Sequence, residues 1–129
     1  PFPFTLTARA ENFLSGRNDL DDTLRRLQSY ERAGADVLFA PALPDLDAVR
    51  TVCASLTKPV NFMVAIRGKS FSVAELAAAG VRRISLATSL YRAAMTGLID
   101  AAHEVHDSGT FNYLDANADI ASYFKAPSK

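Results

Sequence analysis

The chain has 129 residues, 49% of them hydrophobic and 22% charged, which is enough for one domain with a modest core and too apolar for a disordered segment. Its 14 Lys and Arg balance 14 Asp and Glu, and no basic block stands out, so nucleic-acid and membrane-surface partners are not expected. A lone Cys53 excludes an internal disulfide or a Cys-rich metal cluster, and no apolar run reaches the roughly 18 residues that span a bilayer; a cytoplasmic location is the expectation.

In chain order, a short apolar run is followed four times by a stretch with helical spacing, the alternation of a parallel sheet covered by helices. The sequence opens on Pro1 rather than Met and moves at once into Phe4-Thr5-Leu6-Thr7-Ala8, the first predicted strand, as a segment of a longer protein would. After a polar loop, Asp19 is placed to cap a helix whose Leu20, Leu24, Leu27 and Tyr30 share one face and which stops before Gly34. The second strand is Asp36 to Ala40, apolar enough to be buried on both faces, and Pro41 and Pro44 prevent its continuation. Leu46, Val49, Val52, Cys53 and Leu56 form the face of the next helix.

Lys58-Pro59 turns the chain into a third strand, Val60 to Val64, and Ser72 with Glu75 has the spacing of a capping box for a short helix that ends before Gly80. The fourth strand is Arg83 to Ala87. The last helix is predicted from Ser89 to Asp107, broken by Gly109, and is followed by a tail carrying Phe111, Tyr113, Tyr123 and Phe124, aromatics that need a surface to cover. The domain reading is residues 1–109 as half of a β/α barrel and 110–129 as a tail that packs on the barrel or on a neighbouring subunit.

Four segments in order, Leu6-Thr7-Ala8-Arg9-Ala10-Glu11-Asn12-Phe13, Gly34-Ala35-Asp36-Val37-Leu38-Phe39-Ala40-Pro41, Lys58-Pro59-Val60-Asn61 and Gly80-Val81-Arg82-Arg83-Ile84-Ser85-Leu86, resemble the second half of isocitrate lyase and phosphoenolpyruvate mutase superfamily proteins. The resemblance implies a (β/α)8 barrel, of which this chain would be the four C-terminal units. It also implies a Mg²⁺-dependent enzyme that makes or breaks a C–C or P–C bond of a small 2-oxo acid, or of its phosphonate or hydroxy-acid relative, through an enolate-like intermediate. Arg9 matches the family's strand-end arginine that contacts substrate oxygens, and Asn61 matches an asparagine that helps to bind the substrate's polar end. Where the lyase branch has a Glu after the sixth strand, this chain reads Phe39-Ala40-Pro41-Ala42-Leu43, a departure from strict isocitrate or methylisocitrate lyases.

The residues that hold Mg²⁺, and the mobile lid with the acid/base or nucleophilic group, belong to the family's first half and are not in this sequence, so the chain alone is expected to be inactive. Exchange of the eighth helix between subunits, common in the family, implies a homo-oligomer; self-association or the other barrel half would also cover the open sheet. The alternative is a non-catalytic barrel half that serves as a structural or oligomerisation module.

Each candidate has a plainer reading beside the functional one. Arg9 is either a substrate-oxygen contact or a surface ion pair with Glu11, and Glu11 is either the carboxylate that orients Arg9 or a solvated loop acid. Asn61 is a substrate contact or an amide satisfied within the sheet. His103 and His106 share a helix face but lack a third ligand, and Cys53 reads as a core thiol. Ser85 and Ser89 suit a cap or turn better than a phosphate site, and Arg67-Gly68-Lys69-Ser70 lacks the frame of a phosphate-binding loop.

Overall fold

The computed structural model describes residues 2–116 and 118–124. The chain divides into two compact units between Ser89 and Leu90. In the first unit, strands β1 (Thr7–Arg9), β2 (Val37–Phe39), β3 (Val60–Met63) and β4 (Arg83–Ser85) form one parallel sheet in sequential order. Helices α1 (Leu20–Arg32), α2 (Leu46–Ala54) and α3 (Val73–Ala78) connect them. This is the expected βα alternation, an α/β sheet of partial-barrel type.

Local chemistry explains where the helices begin. Asp19 accepts a hydrogen bond from the Asp22 amide at 2.8 Å, and Asp45 accepts one from Ala48 at 2.8 Å, each satisfying a donor that the first turn would otherwise leave unpaired. At α3 the capping box closes in both directions, with the Glu75 amide donating to Ser72 Oγ at 3.2 Å and the Ser72 amide donating to Glu75 Oε2 at 2.8 Å.

Strand alternation then divides the sheet into two faces. Ala8, Leu38, Val60, Phe62 and Ile84 point to the helices and join Leu27, Val49, Val52 and Leu76 in the core. Leu27, Leu38, Val49, Val52 and Leu76 are fully buried, each contributing roughly 1.5–3 kcal/mol of transfer free energy. Gly80, with φ +98°, lets the chain leave α3 beside α2: a Cβ there would lie 2.9 Å from Cys53 Cβ. Across α1, Glu31 Oε1 accepts from the Thr57 and Lys58 amides at 2.8 and 2.7 Å, which ties the end of α1 to the turn before β3 and holds the Glu31 carboxyl below its usual range.

The strands are shorter than the expected five-residue runs. Phe4 and Leu6 are exposed ahead of β1, where the Leu6 carbonyl accepts from the Asp36 and Val37 amides at 2.9 and 3.1 Å and the Leu6 amide donates to Asp36 Oδ2 at 2.8 Å. The chain leaves β4 through Ala87, which adopts a left-handed φ of 46°, and leaves β2 through Ala42, at φ 67°. Both sit in loops that follow the C-terminal ends of strands.

Helix α4 (Ser89–His103), all but its first residue in the second unit, continues as a π-helical turn, Glu104–Ser108, where an α-helix to Asp107 is expected. Glu104 accounts for the change. Its carboxylate accepts from Thr110 Oγ1 at 2.7 Å, from Asn112 N and Nδ2 at 2.6 and 2.8 Å and from Tyr113 N at 3.1 Å, drawing the following segment back onto the last turn. The same bonds keep the Glu104 carboxyl below its ordinary range. Gly109, at φ 63°, ends the helix as expected. A 3-10 turn (Asn112–Ala116) and a short helix α5 (Ile120–Tyr123) follow. Phe111, Leu114, Ile120 and Phe124 are exposed, while the Tyr123 side chain, residue 117 and residues 125–129 of the expected tail lie outside the described residues.

Candidate active site

The strand registers align Arg9 with Phe39, Phe39 with Asn61, and Asn61 with Arg83, so these four residues form one row across the sheet on the face away from the helices. Thr7, Val37, Met63 and Ser85 occupy the same face, a strand layer away. Arg9 ends β1, where βα folds carry their chemistry. Its Nε lies 2.5 Å from Glu11 Oε1, and its guanidinium sits over the Phe39 ring at 5.9 Å from the centroid, within cation–π range. Arg9 is about half exposed, at 53% of its side chain. The sheet register and the Glu11 pairing thus bring Arg9 and Glu11 together and hold the guanidinium over the neighbouring strand.

The loop that carries Glu11 is pinned from behind. Buried Asn12 donates through Nδ2 to Asp22 Oδ2 at 2.7 Å, and Arg26 Nε donates to the same oxygen at 2.6 Å. The Arg26 and Asn12 bonds hold the Asp22 carboxyl down at about 2, and the Arg26 guanidinium is correspondingly raised.

Asn61 is 1% exposed, and both ends of its amide are engaged within the sheet. Its Oδ1 accepts from Arg83 Nη1 at 2.8 Å, and its Nδ2 donates to Ser85 Oγ at 3.1 Å. Because a guanidinium has no acceptor, the Arg83 contact fixes which end of the amide is oxygen. Arg83 is the residue that sequence reasoning passed over. Its signal was present, since alternation puts it on the same face as Ser85, but only the inter-strand register places it beside Asn61.

The remaining candidates take the plainer roles. His106 Nδ1 contacts Asp107 Oδ1 at 2.6 Å on an exposed surface, and among the described residues no three His, Cys, Asp or Glu side chains gather as a metal site. Cys53 is half-buried and burial pushes its thiol up, partly offset by the Arg82 charge, which is the direction of an unreactive thiol. The Ser89 amide donates to the Leu86 carbonyl at 2.9 Å at the turn into α4, and Ser70 Oγ donates to Ile66 O at 3.1 Å within its own loop. Among the described residues no helix is long and apolar enough to cross a membrane.

A sequential parallel sheet, helices on one face and a polar row on the other, with an arginine at a strand's end, define a β/α-barrel type of protein. Comparison with known proteins agrees: residues 1–106 match the phosphoenolpyruvate phosphomutase family model, and the chain belongs to that family. A crystal structure from Burkholderia cenocepacia J2315, provisionally described as a lyase/mutase, is 47% identical and superposes with a TM-score of 0.90 over 99% of this chain and 47% of that one. A second, from the same organism and provisionally described as a phosphonomutase, is 34% identical with a TM-score of 0.68, covering 78% of this chain and 43% of that one. The 2-methylisocitrate lyase of Shewanella oneidensis is 27% identical over 110 residues, 81% of this chain and 38% of the lyase. The chain thus spans less than half the length of each of these relatives.

Proposed function

We propose that the chain is the C-terminal half of a Mg²⁺-dependent lyase or phosphonomutase-type enzyme of the cytoplasm, which makes or breaks a C–C or P–C bond of a small 2-oxo acid or a related substrate through an enolate-like intermediate. The observation that carries the reading is the strand-end Arg9, paired with Glu11 and laid over Phe39 on the sheet face away from the helices. A guanidinium held in this way offers parallel N–H donors to a carboxylate and stabilises negative charge that develops on an adjacent oxygen without having to reorganise. Glu11 orients Arg9, Phe39 supports it, and Asn61 belongs to the polar floor of the same face.

The described residues do not fit a Mg²⁺ site: no group of three carboxylate or imidazole side chains converges, and Glu11 is already engaged by Arg9. The ion's ligands belong, in this reading, to the rest of the parent protein.

The test is calorimetric binding of oxalate, an enolate mimic, with and without Mg²⁺, to this chain and to the full-length parent. Mg²⁺-dependent binding in the parent alone is expected, with Arg9→Gln lowering its kcat/KM by about 10²–10³-fold, as loss of a preorganised charge contact does. Absence of binding in both proteins would sink the reading.

A further inference from the structure

Two guanidiniums stand on the row Arg9–Phe39–Asn61–Arg83, and they are not equivalent. Arg9 is neutralised by Glu11. Arg83 is exposed and has no carboxylate partner among the described residues; its bond is to the neutral Asn61 amide. The net positive charge of this face therefore comes from Arg83. A parallel sheet is ordinarily covered on both faces, and a guanidinium that becomes covered needs an anion beside it.

We infer that Arg83 is a second group on this face, beside Arg9, that grips an acidic end of the substrate, a carboxylate or phosphonate, and that Asn61 acts on the substrate through Arg83 as its positioning residue. The inference rests on the enzyme reading given above. Three features support it. Asn61 is too buried to present its own amide, while Ser85 and the sheet hold its oxygen toward Arg83. The bond to Asn61 engages Nη1, and the guanidinium's other donors form the fork that recognises a carboxylate or phosphonate in two-point fashion.

The third feature is direction. Arg9 leans over Phe39 on β2 and Arg83 reaches Asn61 on β3, so each guanidinium stands one strand inward from its own. Both guanidiniums therefore lean toward the middle of the sheet rather than off its edges.

The experiment uses the full-length parent and oxalate with Mg²⁺, with affinity read by calorimetry and ligand-free stability by thermal unfolding. Arg83→Gln should weaken oxalate about 10- to 100-fold, the range for a lost charge-assisted contact, and leave the ligand-free Tm unchanged or raised. Asn61→Ala should weaken oxalate less, and the double variant should be no weaker than Arg83→Gln alone, because Asn61 acts through Arg83. Arg83→Lys, which keeps the charge and loses the fork, should fall between wild type and Arg83→Gln; if Arg83→Gln fails to fold, undiminished affinity in Arg83→Lys overturns the proposal.

A lowered Tm with unchanged oxalate affinity in Arg83→Gln also overturns it, and makes Arg83 the ion-pair partner of a carboxylate elsewhere in the parent. Additive losses in the double variant would remove the role given to Asn61. Wild-type protein that binds no oxalate would defeat the enzyme reading itself and this inference with it, an outcome distinct from wild-type binding that Arg83→Gln leaves intact.

Discussion

On the helix side of the sheet, Ala8, Leu38, Val60, Phe62 and Ile84 meet Leu27, Val49, Val52 and Leu76 in an apolar layer; on the other side, the same strands turn out Arg9, Asn61, Arg83 and Ser85 among Val37, Phe39 and Met63. On the first face the central side chains Leu38, Val60 and Phe62 are buried beneath the helices, and Ala8 and Ile84 on the edge strands are half-buried. The opposite face is polar at the ends of its central row and only partly covered, with Arg9 and Arg83 exposed and Met63 half-buried. The first arrangement stabilises the fold. The second presents its guanidiniums to solvent in this chain, and they become costly only if the face is covered without an anion beside them.

The largest test of this contrast is a pair of truncations in the full-length protein. Leu38→Ala, on the helix side, should cost about 2–5 kcal/mol in urea unfolding, because it leaves a cavity in a closed layer. Met63→Ala, on the other side, should cost less than Leu38→Ala, since Met63 is only partly buried here. Equal losses would mean that the face away from the helices is as tightly packed in the parent as the core, and would break the comparison.

A smaller effect is expected at the rim where the two faces end. Ala87 holds a left-handed backbone at φ 46°, a conformation costly for a residue with a Cβ, so Ala87→Gly should raise stability by up to about 1 kcal/mol in thermal unfolding. A destabilised variant would show that the loop takes another conformation in the parent.

The smallest effect concerns the loop behind Arg9. Asp22 has its carboxyl held at about 2 against an ordinary 3.8, mainly by Arg26 and then by Asn12. A depressed folded pKa stabilises the native state fully above the unfolded value, and that contribution is lost as pH falls from 3.8 through about 2. Asp22→Asn should therefore flatten the acid limb of the stability-versus-pH curve in that window and leave its shape near neutrality unchanged. An unaltered acid limb would mean that the solvent-facing ion pair contributes nothing measurable.

Much of the fold was legible because its signals are local. Asp19 and Ser72 with Glu75 mark helix starts within three residues of the amides they satisfy, and the Leu20, Leu24, Leu27 spacing shows which side of α1 is buried. Arg9 and Glu11 could be singled out from their place just past an apolar run. Strand lengths were less legible, because β1 pairs over three residues only where β2 lies beside it. The π turn was not legible at all: it depends on Glu104 reaching Thr110, Asn112 and Tyr113, six to nine residues onward. Arg83 escaped notice for a related reason, since the register that sets it against Asn61 is a property of two strands packed together and of neither alone.

Gly80 and Cys53 touch in space but face different rules of sequence drift. The atom that excludes a side chain at 80 is the Cβ of residue 53, 2.9 Å away, whereas the sulfur stands back at 3.6 Å. Every residue except glycine carries that Cβ, so replacing the cysteine by serine, alanine or valine opens no room at 80. The thiol can be exchanged without reference to its neighbour, while position 80 stays closed to any residue but glycine whichever side chain occupies 53.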